Sequence, residues 1–214
     1  MERQHHLDYL RSIALLCVIA SHTTSLLYTH LPETKEVYRT LYYNIERCYV
    51  VTFAMTVFTV LSGFLFAELQ KKKCYDDKTV FLIKKLRRLI LPYIFFTTLF
   101  AFITRFKIMN FSELLDFITL SLYKGDFEHL WYLTALFWIF IIVFTLIHFL
   151  KDRILLWSLI LLISFGGALI SYHEISFSFL GIQNAIRWFY FFLLGCFLSF
   201  FRNKLQKNQS LTSV

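Results

Sequence analysis

The stretch from residue 7 to residue 28, LDYLRSIALLCVIASHTTSLLY, is apolar enough to cross a bilayer, yet it carries Asp8, Arg11 and His22. An ionisable side chain at the centre of a spanning helix costs on the order of 2.5 to 3.5 kcal/mol, so such residues usually face a bundle interior or a wet cavity. Eleven residues make about three helical turns, which puts Arg11 and His22 on nearly the same face, roughly 16 Å apart along the axis. Asp8 lies three residues before Arg11, close enough for an ion pair. This polar stripe is a candidate site.

The composition around this stretch is that of a membrane protein. Hydrophobic residues make up 57% of the 214 residues and charged residues 17%, against about 45 to 50% and 25% in ordinary soluble domains. The net charge of +8 is concentrated beside apolar segments, which is typical of membrane topology signals and disfavours a nucleic-acid-binding role. The predicted fold class is all-α, a polytopic integral membrane helix bundle, and we expect one domain over residues 1–214.

Six apolar segments have about the length that a hydrocarbon layer of roughly 30 Å requires. In the second, Ser62 and Gly63 predict close approach of a neighbouring helix backbone. In the third, Pro92 falls in the first turn, where its missing amide donor costs little. Residues 104–130 are too polar to span and predict an amphipathic interfacial helix, after which Trp131 and Tyr132 are expected in the aromatic belt at the interface. The predicted spans are about 7–28, 45–69, 89–103, 131–150, 154–172 and 186–201.

Basic residues predict the orientation of these spans. Residues 71–88 contain eight Lys or Arg against two Asp, so this segment is expected to be a cytoplasmic loop. The same rule predicts that the link with Lys151 and Arg153 and the polar tail from Arg202 are cytoplasmic. With this orientation the amino terminus is also in the cytoplasm. Arg11 is then near the cytoplasmic end of the first helix, and His22 lies in its outer half.

That polarity suggests a division of labour along the first helix. A guanidinium at the cytoplasmic mouth suits the phosphate or carboxylate of a soluble donor. A neutral imidazole deeper in the membrane can take a proton from a hydroxyl. The alternative stays open that Arg11 anchors the helix at the interface while His22 is a polar contact between helices. The spacing of His, Cys, Asp and Glu suits no zinc site, and we expect no bound metal.

Several sequence motifs resemble those of a known family. LDYLR, followed by His22 with ten residues between it and Arg11, is similar to the start of the acyltransferase 3 family of bacterial membrane proteins. Further stretches match that family in the same order along the chain: VLSGF at 60–64, the basic run from Lys84 through Arg87 and Arg88 to Pro92, HLWYL at 129–133 and FFLLG at 191–195.

The resemblance implies a multi-pass protein of the bacterial cell membrane that transfers an acyl group, commonly acetyl, from cytoplasmic acyl-coenzyme A to a carbohydrate or glycolipid hydroxyl at the outer side. His22 would be the base and Arg11 the anchor of the donor site. Arg87 and Arg88 are candidates for contact with the donor's phosphates, or else serve as positive-inside anchors. His129 is a candidate on the acceptor side, or else caps and orients the fourth span.

The chain is shorter than is typical of the family, so the resemblance implies a short or C-terminally truncated member. An inactive form and a homo-oligomer both remain open. A non-enzymatic alternative also remains, namely a membrane component of polysaccharide export, since the family includes members from capsule and biofilm operons.

Overall fold

All regular structure in the described part of the chain is helical. The computed structural model describes residues 5–29, 40, 52–74, 77–106, 108–125, 127, 130–150, 153–173 and 179–212. Its helices confirm the all-α membrane bundle. They are α1 (His5–Thr29), α2 (Thr52–Lys71), α3 (Lys78–Lys85), a π-helical turn (Leu86–Ile90), α4 (Leu91–Arg105), α5 (Phe111–Lys124), α6 (Trp131–Leu150), α7 (Ile154–His173) and α8 (Ile182–Thr212).

Three helices within the described residues are long and apolar enough to cross a membrane. They are Thr52–Lys71, Lys78–Arg105, which joins α3 to α4 through the π turn, and Ile182–Arg202. Two shorter apolar helical segments, Trp131–Ile147 and Leu155–Ile170, lie within α6 and α7. The total of six spans stays a prediction, and residues 45–51 of the second predicted span lie outside the described part.

The centre of the bundle is the contact between α2 and α8. Gly63 on α2 faces the backbone of Phe192, and a Cβ at Gly63 would lie 2.9 Å from the carbonyl carbon of Phe192. Gly195 on α8 faces the backbone of α2 in the same way, since a Cβ there would lie 2.8 Å from the amide nitrogen of Phe64. The prediction that a neighbouring backbone comes close at this small pair is therefore confirmed for Gly63. Two motif segments that are far apart in sequence, 60–64 and 191–195, form one seam.

The basic segment 71–88 is not a loop throughout, so that expectation is wrong for its second half. A short turn follows α2, and helix α3 begins at Lys78. Asp77 caps α3, because its Oδ1 accepts hydrogen bonds from the amides of Thr79 (2.7 Å) and Val80 (3.2 Å). Lys and Arg are good helix formers, and Phe81 fixes the helix by burying its ring. The high density of Lys and Arg correctly marked the end of the second span, but it did not exclude a helix in the segment that follows.

Pro92 is the second residue of α4, so its predicted place in a first turn is confirmed. The span itself does not begin near residue 89, because α3 and the π turn continue into α4. Proline lacks an amide proton, and its ring crowds the carbonyl four residues earlier. The preceding π turn absorbs this defect: the amide of Leu91 donates to the carbonyl of Leu86, five residues back. Widened turns of this kind occur in α-helices as single-turn bulges.

The remaining helices follow the sequence pattern with shifts at their ends. Helix α6 has the predicted bounds, and α5 confirms a helix in the 104–130 segment. Glu113 of α5 accepts a hydrogen bond from the amide of Asn110 (3.0 Å), and Gly125 ends the helix in the left-handed conformation. Helix α8 starts at Ile182 and continues to Thr212, so the polar tail expected from Arg202 is helical over most of its length.

Candidate functional site

The two principal site candidates lie on one unbroken helix, α1. Residue 22 therefore lies about three turns beyond Arg11, within about 20° of the same angular position. The Arg11 Nη1 is 4.0 Å from Asp8 Oδ1, and the two side chains are 45% and 43% exposed. The predicted ion pair is present at the outer limit of its range. The side chain of His22 lies outside the described part of the structure.

Helix α1 packs against α2. Ala14 is completely buried, and it marks the side of α1 that packs. Three residues of helix correspond to about 300°, so Arg11 lies about 60° from Ala14, at the edge of the packed side. Tyr9 and Leu16 are exposed. Arg11 is thus accessible, next to the α1–α2 contact.

Tyr132, from the HLWYL motif, contacts the interior of the bundle. Its hydroxyl lies 3.1 Å from Oγ1 of Thr59 on α2, and Thr59 donates to the carbonyl of Met55 at 2.7 Å. Because the single Thr59 proton goes to that carbonyl, Tyr132 is the donor of the bond between the two hydroxyls. Tyr132 is thus an interhelical contact, and the expectation of an interfacial belt residue is wrong for it. Trp131 packs its ring 6.0 Å from that of Trp188 on α8.

The end of α5 is tied to the residues just before α8 by backbone hydrogen bonds, and to the start of α6 by a side-chain hydrogen bond. The amides of Leu180 and Gly181 donate to the carbonyls of Tyr123 (2.7 Å) and Lys124 (2.8 Å) at the end of α5. Those carbonyls have no partner within their own helix. Thr134 of α6 donates to the carbonyl of Gly125 at 2.7 Å. This junction flanks the segment that holds His129, which itself lies outside the described residues.

A polar cluster at the other end of α2 and α8 was not predicted. Lys71 Nζ donates to Glu68 Oε1 (3.0 Å), to the Ser199 carbonyl (2.9 Å) and to Ser199 Oγ (2.8 Å). Ser199 is fully buried, and its hydroxyl donates to Glu68 Oε1 at 2.8 Å. The i, i+3 spacing of Glu68 and Lys71 was a visible signal for the ion pair. Its partner on α8 was not visible, because nothing local to α2 specifies Ser199.

Arg87 and Arg88 lie in the π turn and are exposed. Their neighbour Lys85 is different, since its ammonium lies over the Phe140 ring at 3.2 Å from the centroid, a cation–π contact. The π turn packs against α6, whereas α1 packs against α2. Among the described residues, the structure does not bring Arg87 or Arg88 into contact with Arg11. It also shows no group of three or more His, Cys, Asp or Glu arranged to hold a metal ion in that part.

The comparisons with known proteins complete this description. The chain matches the family model of the acyltransferase 3 domain, described as an acyltransferase domain, over residues 4–214. No curated protein and no solved structure matches it. The match covers essentially the whole chain, including α1 with Arg11 and the α2–α8 seam. The chain therefore belongs to the acyltransferase 3 family, a family of membrane acyltransferases.

Proposed function

We propose that this protein transfers an acyl group, acetyl in the first instance, from cytoplasmic acyl-coenzyme A to a hydroxyl of a cell-envelope or exported carbohydrate. The proposed location is the bacterial cell membrane, with several spans and the amino terminus in the cytoplasm. Membership of the acyltransferase family supports the reaction class. The distribution of basic residues supports the orientation.

One observation carries the proposal: α1 is unbroken from His5 to Thr29 and has an accessible cation near its start. The partner of Arg11 is Asp8 at 4.0 Å, which leaves guanidinium donors for an anion. Residue 22 follows on nearly the same line, roughly 16 Å further along the axis. At that separation the two side chains act on different parts of the reactants.

In the proposed reaction, His22 takes the proton of the acceptor hydroxyl as its oxygen attacks the thioester carbonyl of the donor. An ester C–O bond forms, the thioester C–S bond breaks, and the proton ends on the thiol of coenzyme A. Arg11 holds the donor by an anionic group, for which its planar fork is suited. Arg87 and Arg88 are proposed as additional contacts to the donor's phosphates, and His129 as a contact to the acceptor.

The first test is donor binding by the purified chain in nanodiscs, measured by calorimetric titration with acetyl-coenzyme A. We expect saturable binding to the parent protein and at least tenfold weaker binding for Arg11→Ala. Arg11→Lys should restore only part of the affinity, because an ammonium cannot form the paired hydrogen bonds of a guanidinium. Arg105→Ala, an exposed cation at the end of α4, is the matched control and should bind as the parent does.

The second test is transfer in membrane vesicles, with radiolabelled acetyl-coenzyme A and isolation of the envelope carbohydrate. His22→Ala should abolish incorporation of label while leaving donor binding intact, since His22 is proposed to act on the acceptor proton. Normal incorporation by this variant would refute the assigned role. If the parent binds no donor and envelope polymer changes in amount with its acyl content unchanged, the non-enzymatic export role replaces the proposal.

A further inference from the structure

Two of the lysines between the end of α2 and the end of α3 contact neighbouring helices. Lys71 uses its ammonium on Glu68 and Ser199, and Lys85 lies over Phe140. These two side chains hold helices together. A second group, made up of Lys72, Lys73 and Lys78, is exposed and has no side-chain partner in the described part of the structure. We refer to these three lysines as the basic turn.

The backbone of the basic turn is fixed and strained. The amide of Lys73 donates to the carbonyl of Gln70 (3.0 Å), and that of Cys74 donates to the carbonyl of Leu69 (3.1 Å). This pair of bonds is the Schellman end of a helix, in which the residue in the position of Lys73 is left-handed and usually glycine. Lys73 has a φ of 54°. A lysine thus occupies a conformation that glycine adopts without strain, which suggests that its side chain is needed there.

The described acid in this segment is Asp77, which caps α3. Its Oδ1 accepts two amides at the start of α3, where the positive end of the helix dipole also meets its charge. Among the described residues of the turn, the three lysines therefore outnumber the acidic side chain.

The helix that follows the basic turn has an exposed apolar face. Val80 and Ile83 on α3 are 44% and 43% exposed, and Phe81 is buried in the core. Exposed lysines at the start of a helix with an outward apolar face match the two parts of a phospholipid, a charged headgroup and its acyl chains.

We propose that the basic turn binds the headgroup phosphate of an anionic phospholipid, whose acyl chains lie along Val80 and Ile83. This proposal uses none of the proposed donor residues Arg11, Arg87 and Arg88, and it does not depend on acyl transfer. The donor coenzyme also carries phosphates, but acetyl-coenzyme A has no long acyl chain to cover the apolar face. The lipid accounts for both features.

The test is titration of the purified full-length chain in a neutral detergent with short-chain phosphatidylglycerol, and with phosphatidylcholine of the same chain length. We expect saturable binding of phosphatidylglycerol and far weaker binding of phosphatidylcholine. Each lysine near an anionic headgroup contributes about 5-fold in affinity, so Lys72→Gln with Lys73→Gln should weaken phosphatidylglycerol binding about 25-fold. The matched control, Arg105→Gln with Lys124→Gln, removes two exposed cations elsewhere and should leave the affinity unchanged.

A single substitution separates a binding role from a structural one. Lys73→Gly removes the strain at the helix end, so the melting temperature should stay the same or rise, while phosphatidylglycerol affinity should fall about 5-fold. Equal affinity for the two lipids, an unchanged affinity in the double glutamine variant, or an equal loss in the control would overturn the proposal. Competition of phosphatidylglycerol by acetyl-coenzyme A at the basic turn would also overturn it, because the site would then belong to the donor.

Discussion

Replacing Gly63 by alanine should force α2 and α8 apart. The added Cβ would stand 2.9 Å from the carbonyl carbon of Phe192, where ordinary contact begins near 3.4 Å, and it would meet the carbonyl oxygen still more closely. These are backbone atoms, which cannot rotate away as a side chain can. Overpacking typically costs about 1 to 3 kcal/mol, and a backbone clash belongs at the upper end. Alanine in a helix returns about 1 kcal/mol relative to glycine, which leaves a net loss of about 2 kcal/mol.

Gly195→Ala should cost a similar amount, since its Cβ would lie 2.9 Å from the carbonyl carbon of Val60. Both glycines belong to one seam, so a single separation of the helices relieves both clashes. We therefore expect the double variant to be only slightly less stable than either single variant, a strong departure from additivity.

The assay is thermal unfolding of the purified protein in detergent, with tryptophan fluorescence as the signal. For a chain of this size, about 2 kcal/mol corresponds to a fall in melting temperature of roughly 4 to 8 °C. Gly166→Ala and Gly167→Ala on α7 are the matched controls, because a Cβ at either position meets nothing within 4 Å. Their melting temperatures should be unchanged or slightly higher. If Gly63→Ala melts like Gly166→Ala, the close backbone contact is not what holds the seam.

Two buried threonines should respond in opposite ways to replacement by valine. Thr97 is fully buried and its hydroxyl has no hydrogen-bond partner among the residues that the structure describes, so Thr97→Val should be neutral or stabilising in the same melting assay. Thr134→Val should destabilise by about 1 to 3 kcal/mol, because the carbonyls of Gly125 and Trp131 lose the hydroxyl donor that lies 2.7 Å from each; equal melting temperatures for the two variants would contradict this. Tyr132→Phe should cost about 1 kcal/mol, since its hydroxyl contacts with Thr59 and Ser62 on α2 are lost, and a loss too small to measure would show that this hydroxyl does not tie α2 to α6.

Apolar pattern alone predicted the helical membrane bundle, and it gave α6 its observed bounds. Local periodicity was also sufficient to predict a helix within residues 104–130, and the structure shows that Asn110 and Glu113 mark its start. The pattern failed where structure depends on residues distant in sequence. Ser62 and Gly63 predicted that a neighbouring helix would pack closely at this point, but only the structure identifies Phe192 as the residue whose backbone contacts Gly63.

The candidate site was predicted unevenly for the same reason. Helical periodicity predicts that Asp8 and Arg11 lie on one side of α1, and in the structure the two side chains are 4.0 Å apart. Tyr132 was misplaced because an aromatic residue at the start of a span is typical of the interface, while its partner Thr59 lies 73 residues earlier. The role of His22 stays a prediction.

The seam between α2 and α8 also bears on how the protein is made. Cys196 donates to the carbonyl of Gly63 across 133 residues of chain, so α2 leaves the ribosome long before its partner exists. At about 5 to 20 residues per second, synthesis of the intervening chain takes on the order of ten seconds. During that interval the surface of α2 at Gly63, which α8 later covers, is exposed to lipid or to the insertion machinery. Variants that weaken this contact should therefore lower the yield of inserted protein before they alter the behaviour of the finished molecule.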